Sequence, residues 1–496
     1  MNLCRSLTDG RRALPFAMME QKLLLIHTND LHSHFEHMPR IATAIRKLRQ
    51  AALPSETIVC DVGDHMDRMR IETEGTGGLA NIAVLNETGY DIAVPGNNEG
   101  LTFTKDALEQ VYGFRRRFSI VCANLLDAQT GERPSWMEPW VVLDKNGLKV
   151  GITAATACYP DFYELLGWTV TDPIEAIRLA AAKLRETADI VIVLSHLGLP
   201  IDKQIAEEAE EVDVILGGHT HHLLEKPLEI NGTYIAATGC YGKYIGYLDL
   251  RFDPAARKVR LHSGACLETG AYEPDEGLAR LIEGYAIEGR DRLSETAAVL
   301  PERLDISWEQ ESRLGNLLAD GLKKWTGAEI GIVNAGQILQ GLPEGPVTLR
   351  QLLDICPSPV NPCRIRLKGE YLWQAAEEAL LAEYCGKPIK GYGFRGQVLG
   401  TLCVAGLTIE YDACGAPGNK IRSIRIGREP LRLERTYTVG TIDMFTFGIG
   451  YLSLAKGEEK EYFLPEFLRD VLRAQLQDPD VLRKSAHKRW VRLETV

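Results

Sequence analysis

Between Lys22 and about Lys203 the chain alternates short apolar runs with segments of helical period. LLLI is followed by PRIATAIRKLRQ, TIVC by GLANIAVLNETG, and DIAV by TKDALEQVYG; further on, LKVGITAAT precedes DPIEAIRLAAAKLRETA, which leads into DIVIVL. Unbroken apolar runs suit strands buried on both faces, and one-sided apolar stripes suit helices laid against them. The pattern therefore predicts βαβ units and a helix-covered sheet. VDVIL, YIAAT, YIGYLDLRF and KVRLHSG follow with little helix between them, which predicts closing strands paired antiparallel. A charged, helix-prone stretch over Glu273 to Leu293 reads as an interdomain helix. A second unit follows: helix WEQESRLGNLLADGLKKW, strand EIGIVNAG, helix TLRQLLDIC, strand RIRLKG, helix EYLWQAAEEALLAEYC, then strands to the end.

Length agrees with two units, since 496 residues exceed one ordinary core. With 45% hydrophobic and 25% charged residues, disordered and fibrous classes are excluded. A net charge of −12 without a long lysine or arginine run excludes a nucleic-acid polymer as partner. A small anionic substrate stays compatible, because local metal charge can override the global field. The eleven cysteines are scattered, with no C-x-x-C pair, and several lie in apolar runs such as SIVCANL. That usage fits buried thiols in a reducing compartment. Residues 1–20 carry charges and only a short apolar patch, so they read as a disordered leader rather than a signal peptide. No window approaches the roughly 18 apolar residues of a membrane span, and the expected location is cytoplasmic, with no membrane partner.

Where the polar residues fall carries the chemistry. LLLIHTND-L-H ends an apolar run with Asp30 and His32, IVCDVGD with Asp61 and Asp64, and IAVPGNNE with Asn97 and Asn98. VIVLSHLG ends in His196, and VILGGHTHH in His219, His221 and His222. Sites in open α/β sheets form at the carboxyl ends of strands, so these segments should converge. A set of imidazole, carboxylate and amide without cysteine suits Mn²⁺ or Zn²⁺. His27, His37 and His262 read as structural; Asp61 and Asp67 sit in turns, where bonds to backbone amides and a role at the site are equally open readings. His34, His65 and His222 flank the motifs as candidates for reaching substrate.

In order, D-x-H (Asp30, His32), G-D (Asp64), G-N (Asn97), S-H-x-G (His196) and G-H-x-H (His219, His221) resemble calcineurin-like metallophosphoesterases. The opening IHTNDLHSH narrows the resemblance to the bacterial 5'-nucleotidase and UDP-sugar hydrolase family, and LGNLLAD, NAGQI, PVNPCRIRLKGEYL, VAGLTIEYD and YTVGTIDMF are similar to its C-terminal substrate domain. The resemblance implies an α/β chain: a four-layer phosphoesterase domain over 21–272, with a β-sandwich flanked by helices, a linker helix over 273–294, and a second α/β substrate-binding domain over 295–496. It implies two divalent ions, Mn or Zn, one held by Asp30, His32, Asp64 and His221 and the other by Asp64, Asn97, His196 and His219. Asp64 would bridge them and take part in catalysis. The implied reaction is hydrolysis of a nucleotide or nucleotide-sugar by metal-bound hydroxide.

The chain departs from that family in places that matter. The histidine and aspartate of G-N-H-E-x-D are Asn98 and Leu101 here, so a hydrogen-bond donor remains but no proton donor. The expectation is a slower enzyme, with His34 or His65 as rescuers and Asn98 as the remaining catalytic donor. The arginine after NAGQI is Leu339, and the aromatics that enclose a base align with Thr401 and Met444. Phe394, Arg395 and Phe445 are candidate substitutes, with Tyr392, Phe447 and Arg313 nearby. A phosphatase for a non-nucleotide organic phosphate, and a metal-binding scaffold with weakened catalysis, are the alternative readings.

Overall fold

A computed structural model describes residues 20–50 and 52–494. The leader expected over 1–20 lies outside them except for Glu20. Gln21–Thr28 is an interior strand of a seven-stranded sheet, running parallel to Thr57–Asp61 on one side and antiparallel to Tyr244–Asp253 on the other. Beyond Thr57–Asp61 come Ile92–Ala93, Ser119–Val121 and Met137–Glu138; beyond Tyr244–Asp253 comes Lys258–Glu268. A six-stranded sheet runs in the order Leu228–Ile230, Thr233–Ala236, Val214–Gly217, Ile190–His196, Leu148–Thr156 and Trp140–Lys145.

Side chains of a strand alternate between faces, and the consequence is visible along Ile190–His196. Ile190, Ile192 and Leu194 join the apolar cluster shared with the other sheet, while Val191 and Val193 join a separate cluster with Ile177, Ala181 and Leu184 of the helix Pro173–Arg185 and Ile205 of Leu199–Glu208. Helices Met38–Gln50 and Leu79–Thr88 pack into the cluster of the first sheet. The layers are thus helix, sheet, sheet, helix, and apolar runs are continuous because both strand faces are covered. Local signals fix the helix ends. Asp172 accepts the Glu175 N–H at 2.9 Å, Pro173 opens the helix, and Lys183 and Arg185 lie in its last turn.

The closing strands correct one expectation. Val214–Gly217 and Thr233–Ala236 pair parallel, and antiparallel pairing begins only at Leu228–Ile230 with Thr233–Ala236 and in the long hairpin Tyr244–Asp253 with Lys258–Glu268. The G-H-x-H loop and the strand after it supply the crossover length that a parallel pair requires.

The helix over Glu276–Arg292 is capped by Asp275, which accepts the Leu278 N–H at 2.8 Å. It lies against Ile71–Thr76 so closely that a Cβ on Gly75 would press on the backbone of Gly289. In the second part, Leu402–Ala405, Ile330–Asn334, Thr436–Ile442, Pro362–Lys368 and Glu458–Tyr462 form a five-stranded sheet. The helix against it begins at Arg313, with Ser312 as its cap, rather than at Trp308, whose indole N–H instead donates to the Ile338 carbonyl at 2.9 Å. The end of the chain is not all strand: Leu468–Leu476 and Pro479–Lys484 are helices. Their apolar positions Leu468, Val471, Leu472 and Leu476 have helical spacing and are buried.

The two parts meet through named pairs. Arg68 makes two bonds to Glu74, at 2.7 and 3.0 Å, and Arg469 of the second part lies 3.1 Å from the same carboxylate. Phe162 packs on Phe447 and Tyr462, with ring centroids 5.7 and 4.4 Å away. Arg395 reaches Asp67 at 2.5 Å. No helix among the described residues is long and apolar enough to cross a membrane.

Candidate metal centre

Loops at the carboxyl ends of the strands bring side chains from five segments together, and their backbones are held in a sparsely allowed region. Asp30, His32, Asp64, His219 and His221 all have φ between 46° and 71°. Asp and His tolerate this left-handed conformation better than most residues, yet it is uncommon and persists only where the surroundings impose it. Glu99, fully buried, is part of that imposition. Its carboxylate accepts the N–H groups of Gly96 at 2.7 Å, Asp64 at 3.0 Å and Met66 at 2.6 Å, which ties the G-D and G-N loops together. Gly96 has no room for a side chain because Asp64 occupies that space.

Asp30, His32 and His221 bring a ligand atom each within 4.8 Å of one another, and so do Asp30, Asp64 and His196. His221 Nε2 lies 3.4 Å from Asp30 Oδ1 and 3.2 Å from His32 Nε2. Asp64 faces both groups, with Oδ2 3.8 Å from His32 Nε2 and Oδ1 3.3 Å from His196 Nε2. Asn97 Oδ1 lies 3.2 Å from His196 Nε2. His219 stands beside His196, ring centroids 5.3 Å apart, with its Nε2 3.3 Å from the Tyr159 hydroxyl and its backbone N–H donating to Asp30.

Orientation of the rings comes from their second nitrogens. His196 Nδ1 donates to the Val62 carbonyl at 2.7 Å, which turns Nε2 toward Asp64 and Asn97. Burial opposes charge on His196 and His221, but Asp64 beside the first and Asp30 beside the second raise both to about 10. Burial and the neighbouring His196 lower His219 to about 4. Burial would raise the Asp64 carboxyl, yet His196, His32 and the Asn98 N–H hold it well below the usual carboxylate range. A buried pocket whose anions retain protons on imidazole to such high pH is one in which divalent cations fit. The nitrogen and oxygen donors suit borderline and hard metals. The Cys240 thiol beside His221 adds a donor absent from the ordered motifs.

The remaining candidates fall in different places. The Asn98 side-chain nitrogen donates to the Met66 carbonyl at 3.2 Å and lies 2.9 Å from His32 Nδ1, so it is packed behind the His32 ring. Leu101 is partly buried against the apolar cluster. His65 is buried between Asp61, Glu99 and Tyr112, with the Tyr112 hydroxyl 3.0 Å from Nε2, and its ring is committed there. His34 pairs with Glu36 at 2.7 Å and tilts onto Tyr241. His222 is exposed and contacts Thr220. Arg395 is committed to Asp67, Phe394 and Phe445 are buried in the core of the second part, and Tyr392 and Phe447 are the exposed aromatics of that region. Arg313 pairs with Glu302 far from these loops.

Three contributors carried no assigned role in the sequence. Glu99 stands three residues after the helix cap Gly96, the spacing of a capping box, and that spacing was a usable signal. Tyr159 and Tyr241 approach the histidines only through tertiary folding, and no local pattern marks them.

A family model described as calcineurin-like phosphoesterase matches residues 23–223, and one described as 5'-nucleotidase, C-terminal domain, matches residues 295–454. The chain is 39% identical to a metallophosphoesterase, YunD, of Bacillus subtilis (strain 168), over 92% of this chain and 99% of that protein. It is 24% identical to 5'-nucleotidase of Bos taurus, over 84% of this chain and 82% of that one. In fold it resembles Haemophilus influenzae NAD nucleotidase, with a TM-score of 0.67 at 17% identity, over 96% of this chain and 98% of that chain. Calcineurin-like phosphoesterases bind divalent metal ions and hydrolyse phosphoesters with them, so the strand-end donors and the two matched regions have one common account. The chain belongs to the metallophosphoesterases that join a calcineurin-like phosphoesterase domain to a 5'-nucleotidase C-terminal domain, and it is a hydrolase.

Proposed function

We propose that the chain hydrolyses the phosphate ester of a nucleotide or nucleotide-sugar at a two-ion centre, with Asp64 as the bridging ligand. One observation carries this reading: the two oxygens of Asp64 face separate histidine clusters, His32 with His221 on one side and His196 on the other. Asp30, His32, Asp64 and His221 would hold one ion, and Asp64, Asn97, His196 and His219 the other. Two such ions, when bound, lower the pKa of water and neutralise charge on the phosphoryl oxygens.

The chain's own residues prepare that chemistry. The Asn98 backbone N–H donates to Asp64 Oδ1 at 2.7 Å and fixes the bridging carboxylate. Val62 fixes the His196 ring. The second part packs on the first through Phe447 and Tyr462, both against Phe162, and the substrate's leaving group would lie on that side of the site. The reading of a nucleotide rests on the matched C-terminal domain and on relatives named as nucleotidases. Described cysteines are all free, which favours a reducing compartment and a cytoplasmic location.

A second reading, a non-nucleotide organic phosphate, is favoured by the substrate domain. Thr401 is buried with its hydroxyl on the Ala379 carbonyl, Met444 is buried, and Leu339 stands where the family carries an arginine. The experiment is a panel of nucleotides, nucleotide-sugars and sugar phosphates offered to Mn²⁺-loaded protein, with phosphate release measured beside an Asp64→Ala control. Release from nucleotides above that from other esters supports the first reading. Release only from other esters supports the second, and equal background from both proteins removes both.

A further inference from the structure

The loop between the helix Ala382–Cys385 and the strand Leu402–Ala405 belongs to the second part of the chain, yet it reaches the metal centre. Gly391, Tyr392 and Gly393 have φ of 80°, 55° and 75°, three left-handed residues in succession. Such a path is costly for tyrosine and persists where contacts over-determine it. The contacts are present. Tyr392 lies against Phe447, with centroids 6.2 Å apart, and the Arg395 N–H donates to Ser358 Oγ at 3.1 Å. The Arg395 guanidinium lies 2.5 Å from Asp67 Oδ2, and the Asp67 side chain is only 2% exposed.

The same Asp67 oxygen also faces His32 Nδ1, at 3.5 Å. An imidazole that offers Nε2 to a metal carries its proton on Nδ1, and that proton needs an acceptor. Two groups face His32 Nδ1. The Asn98 amide nitrogen at 2.9 Å is a donor and favours the opposite tautomer, whereas the Asp67 carboxylate at 3.5 Å offers only acceptor oxygens. The other Asp67 oxygen is occupied by the Met69 N–H at 3.0 Å, and the Asp67 N–H is anchored on Ser33 Oγ at 2.8 Å, so Oδ2 is shared by Arg395 and His32 alone among these partners.

We propose that Asp67, clamped by Arg395 from the second domain, is a positioning residue that holds His32 in its Nε2-ligating form, so that one domain completes a metal site carried by the other. The proposal rests on the reading of His32 as a metal ligand. It gives Arg395 a task other than gripping the substrate phosphate, and it makes metal affinity depend on a residue more than 300 positions away in sequence.

The test is Mn²⁺ binding by full-length protein, counted by equilibrium dialysis, for the wild type, Asp67→Ala, Arg395→Ala, Arg395→Lys and His32→Ala, with circular dichroism to confirm folding. Loss of such a supporting partner weakens metal binding by about 10–100-fold. Asp67→Ala and Arg395→Ala should each weaken one of two Mn²⁺ ions by that factor, and Arg395→Lys should recover part of the loss. At saturating Mn²⁺ the KM for p-nitrophenyl phosphate should stay at the wild-type value. Wild-type Mn²⁺ affinity in Arg395→Ala together with a raised KM would make Arg395 a phosphate clamp and overturn the proposal. Unchanged Mn²⁺ binding in His32→Ala would instead remove the ligand reading beneath it.

Discussion

His196 places Nε2 3.3 Å from Asp64 Oδ1 while its Nδ1 is bound to the Val62 carbonyl. The ring cannot turn away without breaking a buried hydrogen bond, so the pair is preorganised rather than assembled by the ligand. Asp64 has the larger role, because its other oxygen faces His32. Replacing Asp64 by alanine should therefore lower kcat/KM by at least about 10²–10³-fold, the loss typical of one essential transition-state contact. Activity on p-nitrophenyl phosphate within about tenfold of wild type, on the scale of 1.4 kcal/mol per decade, would refute the bridging role.

Asn98 and Leu101 make a sharper test of the chemistry. An amide cannot deliver a proton, and His65, the buried neighbour, is held by Asp61, Glu99 and Tyr112. Wild-type rates should then fall steeply as the leaving alcohol becomes more basic. The double change Asn98→His with Leu101→Asp restores an acid and its orienting carboxylate, worth about 10²–10⁴-fold where protonation limits the rate. Its slope of log kcat/KM against leaving-group pKa should be shallower than that of the wild type. Parallel slopes would show that proton delivery is not what this site lacks.

Much of this was legible in sequence because strand ends announce themselves: unbroken apolar runs such as VIVL and VIL stop at polar residues, and those residues converge in space. The Asp67–Arg395 contact was not legible, since it joins residues 67 and 395 through tertiary folding alone. Burial of Phe445 was equally hidden, as an aromatic in DMFTFGIGY has the same composition whether it faces a ligand or the core, and only packing against Tyr451 decides. Parallel pairing of Val214–Gly217 with Thr233–Ala236 depends on a loop path that strand periodicity does not encode.

The domain contact at Glu74 predicts a stability effect apart from the site. Its carboxylate faces Arg68 and Arg469, both stacked on Phe467 at 4.8 and 4.7 Å. Burial works against ionisation of Glu74, but the two arginines lower its carboxyl to about 2. Glu74→Ala leaves two poorly solvated cations unpaired, a change that costs about 3–5 kcal/mol. Denaturant unfolding should show that loss, and replacing Glu74 and Arg469 together should cost less than the sum of the single changes. Additive losses would mean that the two side chains do not interact.

Asp202 sets a pH dependence whose sign can be worked out. It is 1% exposed, its Oδ1 accepts the Ser195 hydroxyl at 2.5 Å, and the space where Gly217 would carry a Cβ is filled by its other oxygen. Burial raises its carboxyl from 3.8 to about 7, with the Ser195 bond opposing. The folded state thus holds the proton more tightly than the unfolded chain does. Its contribution to stability is complete below the unfolded value of 3.8 and is lost as pH rises through about 7. Asp202→Asn keeps an acceptor for Ser195 and removes the ionisation. Relative to wild type, the variant should gain stability steadily from about pH 4 to about pH 7, as the wild type is forced to bury a charge. Unfolding midpoints measured across that range should diverge toward high pH. A constant difference between the two proteins would place the titration elsewhere.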